Sequence, residues 1–262
     1  VAFDVANAPA CGPGVDWRAV DPAEYEQVLF VCGPFRDNAI TAEFLGRFRG
    51  RRLIGLDLSM LQSVRQWNPF DVLFERDSDR TQRPDLVFAA EEAPVPVVGL
   101  LLVHPQPQYG ERALHDMANK AIRGLIDSRP MSVVPIDTCL EGNKAGLRTP
   151  AEIESLIARM DVVVTTRLHG LVLALKNNVP ALAVDPIAGG AKIRQQCQAV
   201  GWPVVFTADA LLDADLHAAF DYCLTAEARA KATLCRLGAL DELDALRKEF
   251  ADAVNLSTAQ RE

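Results

Sequence analysis

No hydrophobic run in the 262 residues is long enough to cross a bilayer, so no spanning helix is expected. Six cysteines are present, Cys11, Cys32, Cys139, Cys197, Cys223 and Cys235, but none forms a C-x-x-C pair or has a neighbouring histidine ligand. A zinc site is therefore not expected. Thiols in apolar surroundings behave as small hydrophobes, which places the chain in a reducing cytoplasm. Positive charge is also in deficit: the net charge of −8 argues against a nucleic-acid partner and equally against an anionic membrane surface. The one basic cluster, Arg47, Arg49, Arg51 and Arg52, reads as cations at a helix C-terminus. Methionine is missing from position 1, which suggests a processed, trimmed or incomplete start. Residues 8–12, Ala-Pro-Ala-Cys-Gly, faintly resemble a lipoprotein cleavage site, but no basic and apolar regions precede them, so lipidation is not expected. No internal repeat or low-complexity tract stands out.

What is there is an α/β pattern in two parts. Residues 1–24, with Gly12, Pro13, Gly14 and Pro22, read as an extended arm. Buried strands are predicted over residues 28–33, 53–58, 72–74 and 86–88, with a helix over 39–48. Gly33, at a strand end before Pro34, is a candidate point where backbone approaches a ligand, although such a pair usually marks a turn. Residues 89–96, Ala-Ala-Glu-Glu-Ala-Pro-Val-Pro, are the best linker, charged and interrupted by prolines. The division predicted is an N-terminal α/β lobe over 1–93, a C-terminal Rossmann-like lobe over 94–225 and a helical tail over 226–262.

The second lobe opens with a strand over 97–103, whose exit is His104-Pro105-Gln106-Pro107-Gln108-Tyr109, followed by a helix over 111–127. A strand over 131–136 leads to a loop holding Glu141 and Lys144. Thr149-Pro150-Ala151-Glu152 then supplies a hydroxyl cap, a proline at the first helical position and an acid in the first turn. That helix runs to Met160. Beyond Asp185, Gly189, Gly190 and Lys192 open a further helix. Glycines at a helix N-terminus suit an anion as well as a plain turn.

The chain is organised around residues 162–185. Val-Val-Val at 162–164 is a strand buried on both faces, and Leu168, Leu171, Val172 and Leu175 form one stripe of a helix. Thr165 or Thr166 offers its N-cap, Asn177 and Asn178 its end, and 181–184 a second buried strand. The unit is βαβ. Arg167 and His169 stand at the mouth of this helix, where free N–H groups and the positive end of the dipole already gather. Adding cations there is unfavourable without something negative. A bound anion, phosphate above all, is one answer, and an ion pair from Arg167 to Asp185 is the other.

Thr-Arg-Leu-His-Gly at 166–170, followed by the apolar helix and Asn-Val-Pro-Ala-Leu-Ala-Val-Asp at 178–185, resembles the C-terminal signature of the polysaccharide pyruvyl transferase family. The resemblance covers residues 160–202. It implies two Rossmann-like lobes arranged as in GT-B glycosyltransferases. It also implies transfer of the pyruvyl unit of phosphoenolpyruvate to a sugar diol, forming a ketal and releasing phosphate, with no cofactor beyond that donor. This is a step of exopolysaccharide biosynthesis. The motif residues Arg167 and His169 would be catalytic, and Thr166, Leu168 and Gly170 would bind substrate. Glu75-Arg76-Asp77-Ser78 is similar to the family's Arg-Asp segment, although structural hydrogen bonds are the expected use of Arg76 and Asp77. The chain departs from the family pattern in two places. His104 stands where family members carry an arginine at the strand exit, and a histidine can still donate to an oxyanion. The glycine-rich turn Gly-Asn-x-Gly-Asp is missing from residues 1–38, so either a shortened first lobe or a chain without its natural beginning is expected.

In that chemistry His169 is the candidate general acid and Arg167 the bidentate anion clamp. Gly189, Gly190 and Lys192 would add to the donor side. His115 and His217 fall within helical patterns and read as structural or surface residues. Two other classes stay open: a GT-B-like glycosyltransferase using a nucleotide sugar, and a non-catalytic relative.

Overall fold

A computed structural model describes residues 2–3, 14–141, 143 and 145–259. Cys11, Gly12, Pro13, the 8–12 segment and Lys144 lie outside the described residues. The chain divides into two compact units, Val1–Glu92 and Ala93–Glu262, with the long C-terminal helix belonging to the second.

In the first unit β1 (Ala2–Phe3) pairs in parallel with β2 (Val15–Asp16). The main sheet holds β3 (Gln27–Val31), β4 (Pro34–Phe35), β5 (Arg52–Met60) and β6 (Val72–Asp77), with α1 (Ala39–Arg47) between β4 and β5. All of its pairings are parallel: β3 and β4 lie along one side of β5, and β6 along the other. Asn38 caps α1, its side chain accepting the N–H groups of Ile40 and Thr41. Phe35, Leu53, Leu58, Met60 and Phe70 form the small core of this unit. Residues 14–24 are more ordered than a loose arm, because Trp17 is buried and packs on Phe44, and Arg47 donates to the carbonyls of Trp17 and Val20.

The strand expected over 86–88 is a single 3-10 turn, Leu86–Ala89. Asp85 accepts the Val87 N–H and also binds Arg76, and these contacts close a turn instead of extending the backbone. Phe88 is 86 % exposed, so the apolar run that suggests a buried strand is not buried at all. Arg76 reaches Asp77, Asp85 and Ser59, the structural role expected of the Arg-Asp segment.

The second unit contains β7 (Val97–Leu101), α2 (His115–Asp127), β8 (Ser132–Pro135), α3 (Pro150–Ile157), β9 (Val162–Thr165), α4 (Leu168–Lys176), β10 (Ala181–Asp185), α5 (Lys192–Val200), β11 (Val205–Thr207), α6 (Asp213–Cys223) and α7 (Ala226–Ala259). Its sheet runs β8-β7-β9-β10-β11, entirely parallel. This is the doubly wound order 2-1-3-4-5, so the order reverses between β7 and β9. Every residue of β9 and β10 is buried, which explains their unbroken apolar sequence. Ala118, Ile122 and Leu125 of α2 and Ile153 and Ile157 of α3 turn helical stripes toward this sheet's core. Thr149 and Glu152 form the complete capping box read from the sequence. The turn Pro107–Arg112 is 3-10, so α2 begins later than position 111. Ala228, Ala232 and Cys235 seat the first part of α7 in the same core. The two units thus share the α/β class, each built on a parallel sheet, and the second adds the helical C-terminus. No described helix is long and apolar enough to cross a membrane. The five described cysteines are all free thiols.

Candidate active site at the strand-order reversal

Parallel α/β sheets bind ligands outside the carboxyl ends of the strands where the order reverses. In the second unit that point is the pair of exits from β7 and β9, stitched together by two threonines. Thr166 N–H donates to the Leu101 carbonyl at 3.1 Å, and Thr166 Oγ1 accepts the Val103 N–H at 2.9 Å. Thr165 Oγ1 lies 2.9 Å from the Leu101 carbonyl and accepts the Arg167 N–H at 2.9 Å. Neither threonine caps α4. The N-cap is Arg167, which has extended backbone angles and makes no side-chain cap bond. Both hydroxyls are consumed in fixing the two exits instead.

The helix mouth keeps free donors as a result. Gly170 and Leu171 N–H groups bond to the Arg167 carbonyl, while those of Leu168 and His169 have no acceptor among the described residues. A cleft of about 220 Å³ opens in front of them. Its walls bring together five of the residues expected from sequence, Thr166, Arg167, Leu168, His169 and Lys192, and add Gln106 and Tyr109 from the β7 exit.

Arg167 does not pair with Asp185. Its Nη1 donates to Asp137 Oδ1 at 2.6 Å, and Asp137 Oδ2 lies 3.0 Å from His104 Nε2. Burial pushes the Asp137 carboxyl up, but the Cys139 N–H bond, the His104 contact and the Arg167 charge together hold it below its ordinary value. Asp137 is thereby an anion that steadies one edge of the guanidinium and leaves Nε and Nη2 for a ligand. His104 does not line the cleft; it joins the site through Asp137.

Asp185 is used elsewhere for a clear reason. Only 1 % exposed, it accepts the N–H groups of Ile187, Ala191 and Arg194. The anion at the mouth of α5 is therefore the protein's own carboxylate. The glycines there are likewise spoken for: Gly189 N–H donates to Asp209 and Gly190 N–H to the Ile187 carbonyl, with both residues at positive φ. They shape a turn and do not present donors to a ligand. Lys192 alone of that group faces the cleft.

Gly170 is a packing residue. It is buried, and a Cβ there would overlap Thr165 Oγ1, stand 3.0 Å from Thr165 Cβ and 3.1 Å from Leu101 Cβ. Only glycine lets α4 lie against the threonine that joins the two exits. Gly33 belongs to the first unit, at φ 87° between β3 and β4, and takes no part in the cleft lining. No group of three or more metal-ligating side chains is found among the described residues.

Two solved structures show partial likeness. A spinosyn forosaminyltransferase (SpnP) is 16 % identical over 80 % of this chain and 59 % of its own, with a TM-score of 0.34. A glycotransferase of kitacinnamycin is 14 % identical over 74 % of this chain and 52 % of its own, with a TM-score of 0.33. The chain therefore spans little more than half the length of either, and overlaps this small carry no weight. No curated protein matches it in sequence. The family signal comes from the stretch that builds the β7 exit, Asp137, the capping box and the mouth of α4: residues 79–186 match the model of the polysaccharide pyruvyl transferase family.

Proposed function

We propose that the chain transfers the pyruvyl unit of phosphoenolpyruvate to a sugar diol, forming a pyruvate ketal and releasing phosphate. The observation that carries this reading is the pair of unsatisfied N–H groups, of Leu168 and His169, beside the Arg167 guanidinium in one cleft. Preorganised amides and an arginine fork suit the phosphate or carboxylate of such a donor.

The donor's methylene carbon takes a proton and becomes a methyl group, leaving an oxocarbenium-like centre. One sugar hydroxyl attacks that centre and loses its proton. The bond from carbon to the phosphate oxygen then breaks, and the second hydroxyl closes the ring. The acceptor's two hydroxyl protons are thus replaced, one ending on the methyl carbon and one on phosphate. We assign the part of general acid to His169, which is exposed at the second position of α4 and lines the cleft. Arg167 holds the anion through its free Nε and Nη2, and Lys192 faces the same space from α5. Tyr109 and Gln106 supply the remaining polar wall. The chemistry draws on no metal. A reducing cytoplasm suits the five free thiols described.

Calorimetric titration of the chain with phosphoenolpyruvate tests the donor assignment. Saturable binding that Arg167→Ala removes is expected, with uridine diphosphate unable to displace it. A folded chain that takes up the nucleotide at a site lost in Arg167→Ala, and ignores phosphoenolpyruvate, would be a nucleotide-sugar enzyme.

A further inference from the structure

In the first unit the run of four arginines after α1 divides into two kinds. Arg47 is occupied, holding the carbonyls of Trp17 and Val20. Arg49, Arg51 and Arg52 have no side-chain ion pair or hydrogen bond among the described residues. All three line an open surface depression of about 620 Å³. Arg52 opens β5, and Asp71 stands on the same rim just before β6, so the depression sits at the amino edge of the parallel sheet. The strand exits lie at the opposite edge.

A helix C-terminus favours a cation, which accounts for one arginine in the last turn of α1. It does not account for three more guanidiniums crowded into four residues of a chain whose net charge is −8. The turn that gathers them is fixed, since Arg51 N–H donates to the Phe48 carbonyl across Gly50 at φ 81°. One carboxylate shares the depression, but Asp71 already spends an oxygen on the Leu53 N–H at 2.7 Å. Three mutually repelling cations face one partly engaged anion. The depression is open to solvent and has room for more than an inorganic phosphate. Leu45, Phe48 and Pro69 give it an apolar wall.

We propose that this arginine-lined depression binds a small organic polyanion, an organic body bearing at least two phosphate or carboxylate groups. Guanidinium forks match both anions bidentately, and the apolar wall takes the body that joins them. The site is independent of the donor cleft and does not rest on the reaction assigned to it.

The test is low-salt calorimetry of the full chain with two probes, uridine diphosphate for phosphates and trigalacturonate for carboxylates. At least one should bind with a Kd below about 1 mM and lose affinity steeply as salt rises. In R49Q/R51Q/R52Q that binding should weaken at least about tenfold, while R49K/R51K/R52K should retain part of it and Arg167→Ala should leave it unchanged. Circular dichroism melts check that the variants fold. Failure of both probes to bind the wild-type chain, or binding by the glutamine variant equal to wild type, would overturn the proposal. So would binding that only Arg167→Ala removes.

Discussion

Arg167→Ala should weaken phosphoenolpyruvate binding by about 100-fold or more, the scale set by a charge-assisted fork worth roughly 3 kcal/mol. The loss has two parts. The ligand's anion forfeits Nε and Nη2, and Asp137 loses its Arg167 partner and keeps only His104 and the Cys139 N–H beside the cleft. Arg167→Lys should recover only a fraction, because an ammonium cannot hold Asp137 and a ligand along two edges at once. Folding should change little, since the guanidinium is at the rim and the βαβ core around it is made of Val162, Val164, Leu171 and Leu182. Calorimetry of the two variants beside the wild type reads these differences directly. Equal affinity in Arg167→Ala would remove this arginine from the site.

Glu75→Gln should destabilise the first unit by about 2–3 kcal/mol at neutral pH and abolish a specific acid-dependent loss. The Glu75 side chain is fully buried, with Arg80 Nε at 2.7 Å from Oε1 and Arg80 Nη2 at 2.9 Å from Oε2. Arg80 pulls this carboxyl down to about 2 from its ordinary 4.5, while burial pushes the other way. A carboxyl depressed on folding contributes stability that is complete above its unfolded value and lost as pH falls toward its folded one. The window is therefore about 4.5 down to about 2. Because a tenfold change in proton affinity is worth ~1.36 kcal/mol, the contribution is about 3 kcal/mol. Urea unfolding followed by tryptophan fluorescence, to which Trp17 and Trp67 of the first unit contribute beside Trp202 of the second, should show the wild type losing this increment between about pH 5 and about pH 2, and the variant losing much less. Parallel pH profiles would contradict the assignment.

Legibility in the sequence follows the range of the interactions. The βαβ run from Val162 to Asp185 is readable because burial on both faces leaves continuous apolar strands, and Thr149 because a capping box spans four residues. Arg167 is readable as a cation needing an anion, but its partner is not. Asp185, the next acid downstream, is turned to the N–H groups of α5. Asp137, 30 residues away, reaches Arg167 because the strand order sets the β8, β7 and β9 exits side by side, and no local pattern encodes that order. The role of Thr165 and Thr166 is hidden for the same reason: a hydroxyl before a helix is ordinarily its cap, and only the facing β7 exit claims it. Residues 86–88 show the converse failure, an apolar triplet held as an exposed turn by Asp85.

The chemistry at the mouth of α4 is tested most directly by nuclear magnetic resonance of a turnover mixture. The wild-type chain would be incubated with phosphoenolpyruvate and a panel of methyl hexosides presenting vicinal and 1,3-diols. Equal amounts of inorganic phosphate and a ketal quaternary carbon, both absent in His169→Ala and Arg167→Ala, are the predicted result. Phosphate accompanied only by free pyruvate, or unchanged phosphoenolpyruvate beside consumption of a nucleotide sugar, would contradict it.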